Sequence, residues 1–259
     1  MADIPYPEIL PNTTQRLGLL PKFRTGAGGA QLLLPEWVYD LCVWLLWPYN
    51  WLIAALASRV PIGYTARDWT TDPALAPGRL PAADLEALRT KIRARANERV
   101  DDVAVWALFD ALPAPRTNEL LGNWRGKVVL SGSWLDIAGH LLETPFSWIG
   151  LGWGKRYFTP HKGDPLVLIV PDKLIFPLPL WGNVSLPEIA LRGKVGATMV
   201  YDHQPWKDHF RLLDDGKATG RRMLLGNWFS REKNGGWFTL EEMAETREPI
   251  ADLLVPSPY

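Results

Sequence analysis

Between Tyr201 and Arg211 the chain brings together a phenol, two carboxylates, two imidazoles and a guanidinium: Tyr201, Asp202, His203, Asp208, His209 and Arg211. Such groups, held at hydrogen-bonding distance, can pass protons or polarise a carbonyl, which is general acid–base chemistry. The flanking residues read as two strands, Lys194–Asp202 and Lys207–Leu213. Side chains alternate across a strand, so Val195, Ala197, Met199, Tyr201 and His203 share one face and Lys194, Thr198 and Asp202 the other. On the second strand His209, Arg211 and Leu213 oppose Asp208, Phe210 and Leu212. Pairing of the two predicts Tyr201–His203 beside Asp208–Arg211, and the candidate catalytic residues are Tyr201, Asp202, His209 and Arg211. The same groups would equally serve as a polar rim that satisfies strand ends.

Other chemistries find no support in the residue pattern. The four histidines lack the His/Cys spacing of a zinc site, so no metal is expected. No G-x-S-x-G elbow occurs, and the glycines at Gly26, Gly28 and Gly29 neither follow a strand nor open a helix in the manner of a phosphate loop. No nicotinamide or flavin fingerprint is present, so no cofactor is expected. The 28 basic and 28 acidic residues balance, and no block of like charge offers a nucleic-acid footprint. Cys42 is the single cysteine, which excludes an intramolecular disulfide and fits a reducing, cytoplasmic compartment.

The elements that must position these groups change character near residue 113. Beyond it, short runs rich in β-branched and aromatic residues alternate with Gly, Pro, Asn and Asp. They are Trp124–Leu130, Trp153–Phe158, Leu166–Val170, Lys173–Phe176, Asn183–Leu191, Lys194–Asp202, Lys207–Leu213, Thr219–Leu225 and Trp237–Leu240. Arg192-Gly193 and Asp215-Gly216 look like tight hairpin turns. Near-regular strand spacing predicts a closed antiparallel barrel or a sandwich. Residues 132–149 read as a helical lid or crossing loop. Fourteen tryptophans supply rigid apolar walls suited to a core or to a ligand cavity. Trp124, Trp153, Tyr157, Met199, His203, Trp206 and Trp228 are the candidate substrate-binding residues.

Residues 1–112 read as a Pro- and Trp-rich extension with helices, and 113–259 as the β domain. Residues 1–34 carry no signal-peptide pattern and read as an extended arm. From Trp37 to Ala57 the chain is apolar, with Asp40 inside it and Pro48 breaking it into two helical pieces, 36–47 and 49–59. A bilayer span is disfavoured by Asp40, which leaves helices packed on the barrel or an interfacial membrane contact through residues 37–59. Pro81 opens a further amphipathic helix whose Leu85, Leu88, Ile92, Ala96, Val100 and Val103 share a face.

Gly122-Asn123-Trp124-Arg125-Gly126, preceded by Leu108–Leu112 and Pro113, resembles the opening of the GXWXG family, which is usually paired with the domain DUF4334. The run Ala197–Phe210, with Tyr201-Asp202 before a Pro-containing turn and Asp208-His209-Phe210 after it, resembles that second domain. The resemblance brackets residues 106–229 and implies a mainly β protein with a helical N-terminal extension, its body an antiparallel lipocalin-like β-barrel around an apolar cavity. Lipocalin-like barrels in fungal secondary metabolism include cyclases and Diels–Alderases, so the analogy implies a cyclase or pericyclase that steers an apolar biosynthetic intermediate. The alternative is a non-catalytic carrier or sensor of a hydrophobic small molecule. The partners this reading admits are that molecule, a membrane surface and a second copy of the chain as a homodimer.

Overall fold

A computed structural model describes residues 22–26, 29–52, 80–95, 97–131, 140–141, 143–145, 147–170, 174–230 and 233–243. The chain forms one mainly antiparallel sheet with a few helices on it. Its strands are β1 (Lys22–Gly26), β2 (Gly29–Leu33), β3 (Gly122–Val129), β4 (Gly152–Thr159), β5 (Lys162–Val170), β6 (Leu174–Pro177), β7 (Val184–Ser185), β8 (Glu188–Leu191), β9 (Lys194–Tyr201), β10 (Trp206–Asp214), β11 (Met223–Ser230) and β12 (Lys233–Glu242). The hydrogen-bonded order is β1-β2-β6-β5-β4-β3-β12-β11-β10-β9-β7, with β8 also on β9.

Strands expected after residue 113 form with shifts of a few residues. The segment expected as Asn183–Leu191 is split into β7 and β8 by Pro187, which has no N–H for the ladder. The strand expected at Thr219–Leu225 begins at Met223 instead, because Asp215–Arg222 forms a longer loop rather than a two-residue turn. Arg192-Gly193 does make the tight turn, both residues at positive φ (51° and 77°), the backbone of a primed hairpin. Lys22–Leu33, expected as part of an extended arm, is a hairpin whose β2 pairs parallel with β6.

The ladder ends at β7. Leu186 N–H donates to Pro160 O at 2.7 Å, so this edge comes back to the β4–β5 turn without a strand pair forming. Pro165 on the facing edge of β5 and the two-residue length of β7 limit pairing there.

The curled sheet has two dressed faces. Its inner face packs Trp124, Tyr157, Ala197, Met199, Tyr201, Trp206, Phe210, Leu224, Phe238 and Leu240 together. On its outer face, β10–β12 are covered by α3 (Ala82–Arg93) and α4 (Asp102–Ala111), whose Ile92, Val105, Trp106, Leu108 and Phe109 meet Leu213, Leu225 and Trp237. The helix expected from Pro81 onward therefore stops at Arg93 and restarts at α4. Asp101 caps that restart by accepting a hydrogen bond from Ala104 N–H at 3.0 Å.

Toward the N-terminus, α1 (Glu36–Leu45) and α2 (47–52) break at Leu46, just ahead of Pro48. They dock through Tyr39, which donates to Asp164, and Asn50, which accepts from Gln204 Nε2 at 3.0 Å. The docking is one-sided: the two helical pieces pack on the sheet as one of the two expectations had it, but Trp37, Leu41, Trp44, Leu45, Trp47, Trp51 and Leu52 stay exposed. Among the described residues no helix is long and apolar enough to cross a membrane. Residues 140–141, 143–145 and 147–148 of the expected lid are helical, while 53–59 and 132–139 lie outside the described residues.

Candidate functional site

The four residues expected to converge across the β9–β10 hairpin are divided by the alternation of those strands. The register pairs Lys207 with Val200, Asp208 with Met199 and His209 with Thr198. Tyr201 and Asp208 consequently point inward, whereas His209 and Arg211 point outward under α4. His209 Nδ1 lies 2.9 Å from Thr198 Oγ1 and its ring stands edge-on to Phe229. Burial, with Arg211 and Lys207 nearby, lowers its pKa from 6.5 to about 4, so the imidazole is neutral. The Arg211 guanidinium lies 4.4 Å from the Phe109 ring centroid and donates to Leu191 O at 2.9 Å. Asp202 and His203 are exposed in the 202–205 loop.

Inside the curl a different polar group assembles. Lys155 of β4 lies between Trp153 and Tyr157 on the inward face, and Asp208 of β10 lies between Trp206 and Phe210. Lys155 Nζ reaches Asp208 Oδ2 at 2.8 Å, and their side chains are 5% and 1% exposed. The ammonium also donates to Tyr201 Oη and to Pro165 O, each at 3.1 Å, while Tyr201 O–H donates to Asp208 Oδ2 at 3.2 Å. Pro165 O is available because β5 carries an extra residue here: Gly154 pairs with Val167 but Arg156 with Asp164. The ammonium also stands over the rings of Tyr201 and Phe238, at 5.5 and 5.4 Å.

Burial dominates the electrostatics of this triad. It pushes the Asp208 carboxyl above the usual carboxylate range, against the pull of Lys155. It also drives the phenols of Tyr201 and Tyr157 well above their ordinary value, helped by the Asp208 charge. Both tyrosines are therefore neutral donors, and Tyr157 O–H points at Met199 Sδ at 3.1 Å.

Aromatic rings enclose the triad. Trp206 stands edge-to-face on Tyr201, Trp181 and Trp228 at 5.5, 5.2 and 5.3 Å. Trp124 is fully buried in the same cluster, its indole N–H on Leu120 O at 2.6 Å. Trp153 packs on Phe238 and donates to Glu143 Oε1 at 3.3 Å, and burial raises the Glu143 pKa. Of the residues expected to bind substrate, Trp124, Trp153, Tyr157, Met199, Trp206 and Trp228 all belong to this inner cluster, and His203 lies outside it. Lys155, Asp208 and Trp181 were not among the expected site residues. The patterns Trp153-x-Lys155-x-Tyr157 and Trp206-x-Asp208-x-Phe210, a charge between inward aromatics, are the signal for the first two. Trp181 sits in a 3₁₀ turn, Pro179–Trp181, where no periodicity marks it.

Among the described residues no group of three or more His, Cys, Asp or Glu is placed to hold a metal ion. Residues 182–240, which carry β7–β11 and most of β12, match the family model of DUF4334, a domain of unknown function. The crystal structure of a protein from Thermomonospora curvata is similar at 28% identity and a TM-score of 0.47, covering 62% of this chain and 98% of that one. No curated protein matches the chain.

Proposed function

We propose that the curled sheet is a lipocalin-like barrel of the GXWXG/DUF4334 kind that binds an apolar small molecule in its aromatic interior. In this reading the Lys155–Asp208–Tyr201 triad acts on the molecule's polar group as proton donor and acceptor. The observation that carries the reading is a charged pair enclosed by Trp206, Tyr201, Phe238 and Trp181. A buried ion pair contributes little net stability compared with an apolar replacement, so its presence in an otherwise apolar face points to a role beyond folding. The reaction class we propose is cyclisation of an apolar intermediate of secondary metabolism. Preorganised donors and a shaped wall suffice for such a step, and no nucleophile or metal is required.

A carrier reading draws on a different observation: the three ammonium protons of Lys155 each have an acceptor. Such a network can hold a ligand without transforming it. Both readings are tested with one uncharged linear triene carrying an enone, followed by its ultraviolet absorbance. Saturable binding with accelerated loss of the chromophore, reduced in Lys155→Met and Asp208→Asn, supports the enzyme. Saturable binding without acceleration supports the carrier, and absence of binding rejects both.

We also propose that the exposed outer face of α1 and α2 makes a peripheral contact with a lipid surface, where apolar molecules partition.

A further inference from the structure

Three buried polar atoms of the aromatic cluster have no hydrogen-bond partner among the described residues: Trp181 Nε1, Trp206 Nε1 and Asp208 Oδ1. Orphaned polar groups in a protein interior are rare and costly, and each calls for a partner. The residues that carry them are neighbours. Trp206 and Asp208 occupy alternate positions of β10 and face the same side. Trp181 meets the Trp206 ring at 5.2 Å, and Tyr201, touching both tryptophans, donates to the other oxygen of Asp208. Two of the orphans can only donate, and the third can only accept while ionised.

We infer that this corner binds a neutral hydroxyl or enol group of an otherwise apolar ligand. Its oxygen accepts from the Trp181 and Trp206 indoles, and its proton goes to Asp208 Oδ1. This rests on the interior being a ligand site and specifies what that ligand must carry. The complement is selective. An ether or ketone oxygen satisfies the indoles but leaves Asp208 Oδ1 unpaired, a hydrocarbon satisfies none of the three, and a carboxylate meets the charge of Asp208.

The test is a titration of the full-length protein with 2-naphthol, 2-methoxynaphthalene, naphthalene and 2-naphthoate, read by tryptophan fluorescence. The expected order is 2-naphthol tightest, by about five- to tenfold over 2-methoxynaphthalene, which corresponds to one hydrogen bond in a buried site. The methoxy compound should bind more tightly than naphthalene, and 2-naphthoate more weakly than 2-naphthol. In Asp208→Asn the naphthol preference over the ether should shrink. In the Trp181→Phe/Trp206→Phe pair, which keeps an aromatic ring at each position, removes both N–H donors and leaves Asp208 intact, both oxygenated ligands should fall toward the affinity of naphthalene. If Asp208→Asn does not fold, the phenylalanine pair decides alone. Equal binding of all four compounds, or binding of 2-naphthoate as tight as 2-naphthol, overturns the hydroxyl site while leaving the apolar-ligand reading in place. Binding of none of the four overturns both.

Discussion

Lys155 and Asp208 are each other's buried counter-charge on an otherwise apolar face. Removing one partner of a buried pair typically costs about 3–5 kcal/mol, because the remaining charge loses its counter-ion. Lys155→Met should therefore destabilise the protein by that amount at neutral pH, measured by urea denaturation. The loss should grow with pH. Without Lys155 the Asp208 carboxyl, already raised by burial, rises further in the folded state, and a carboxyl raised above its unfolded value loses stability as pH climbs past that value. Lys155→Met should thus be closer to wild type at pH 5 than at pH 8, and a flat difference would count against an ionised Asp208. His209 behaves in the opposite sense. It stays neutral in the fold down to about pH 4, whereas the unfolded chain takes up its proton near 6.5, so stability falls as the solution is acidified between those values. The full effect is about 3 kcal/mol for a group only 6% exposed. His209→Asn, which preserves a hydrogen bond to Thr198, should flatten the stability profile across that window.

The strands were legible because their period of two is written in residue type, and the inward faces of β3, β4, β9 and β10 follow from that alternation. What alternation alone does not give is which opposite-parity residues meet. His209 and Arg211 are two and four positions from Lys207, on its face, so they could never join Tyr201 on the inside of the curl. Lys155 was hidden for a related reason: a lysine in a strand reads as solvent-facing until the partner strands fix which face is inner. The N-terminal hairpin β1–β2 escaped because Gly26, Gly28 and Gly29 signal a turn while its pairing partner, β6, lies far along the chain. Two glycines of β4 supply a matched test of how closely the strands approach. A Cβ at Gly154 would collide with the Trp124 backbone carbonyl, which cannot move without breaking the β3–β4 ladder, whereas one at Gly152 would meet only Ile169 Cβ at 3.9 Å, an ordinary contact. Gly154→Ala should cost at least about 3 kcal/mol, at or beyond the upper end of ordinary overpacking, and Gly152→Ala less than about 1 kcal/mol. Equal midpoints in urea would show that β3 and β4 approach less closely than this.

At the scale of the whole molecule, the chain keeps its polar triad inside and turns several of its largest apolar side chains outward. Trp44, Trp47 and Trp51 on α1 and α2 are 73%, 63% and 63% exposed, beside Trp37, Leu45 and Leu52. An exposed apolar face of this size calls for a cover. Its chemistry favours a bilayer interface, since an indole places an apolar ring among acyl chains and its N–H at the headgroups. Residues 36–52 carry Glu36 and Asp40 but no lysine or arginine, so attraction to anionic lipid is not the driving force. The full-length protein should therefore co-sediment with uncharged phosphatidylcholine vesicles, and raising the salt should not release it. Each indole that buries on the order of 100 Å² contributes roughly 2 kcal/mol. Replacing Trp44, Trp47 and Trp51 together with serine should accordingly weaken vesicle binding by more than about a hundredfold, while Tyr39 and Asn50, on the docked side, keep the helices in place. If the protein instead self-associates with rising concentration, in a manner the serine variant abolishes and vesicles do not compete, the face joins two copies of the chain. α1 packs against the 3₁₀ turn Pro179–Trp181, whose Trp181 borders the aromatic cluster, so a lipid-bound α1 would hold that cluster close to the surface where an apolar ligand is dissolved.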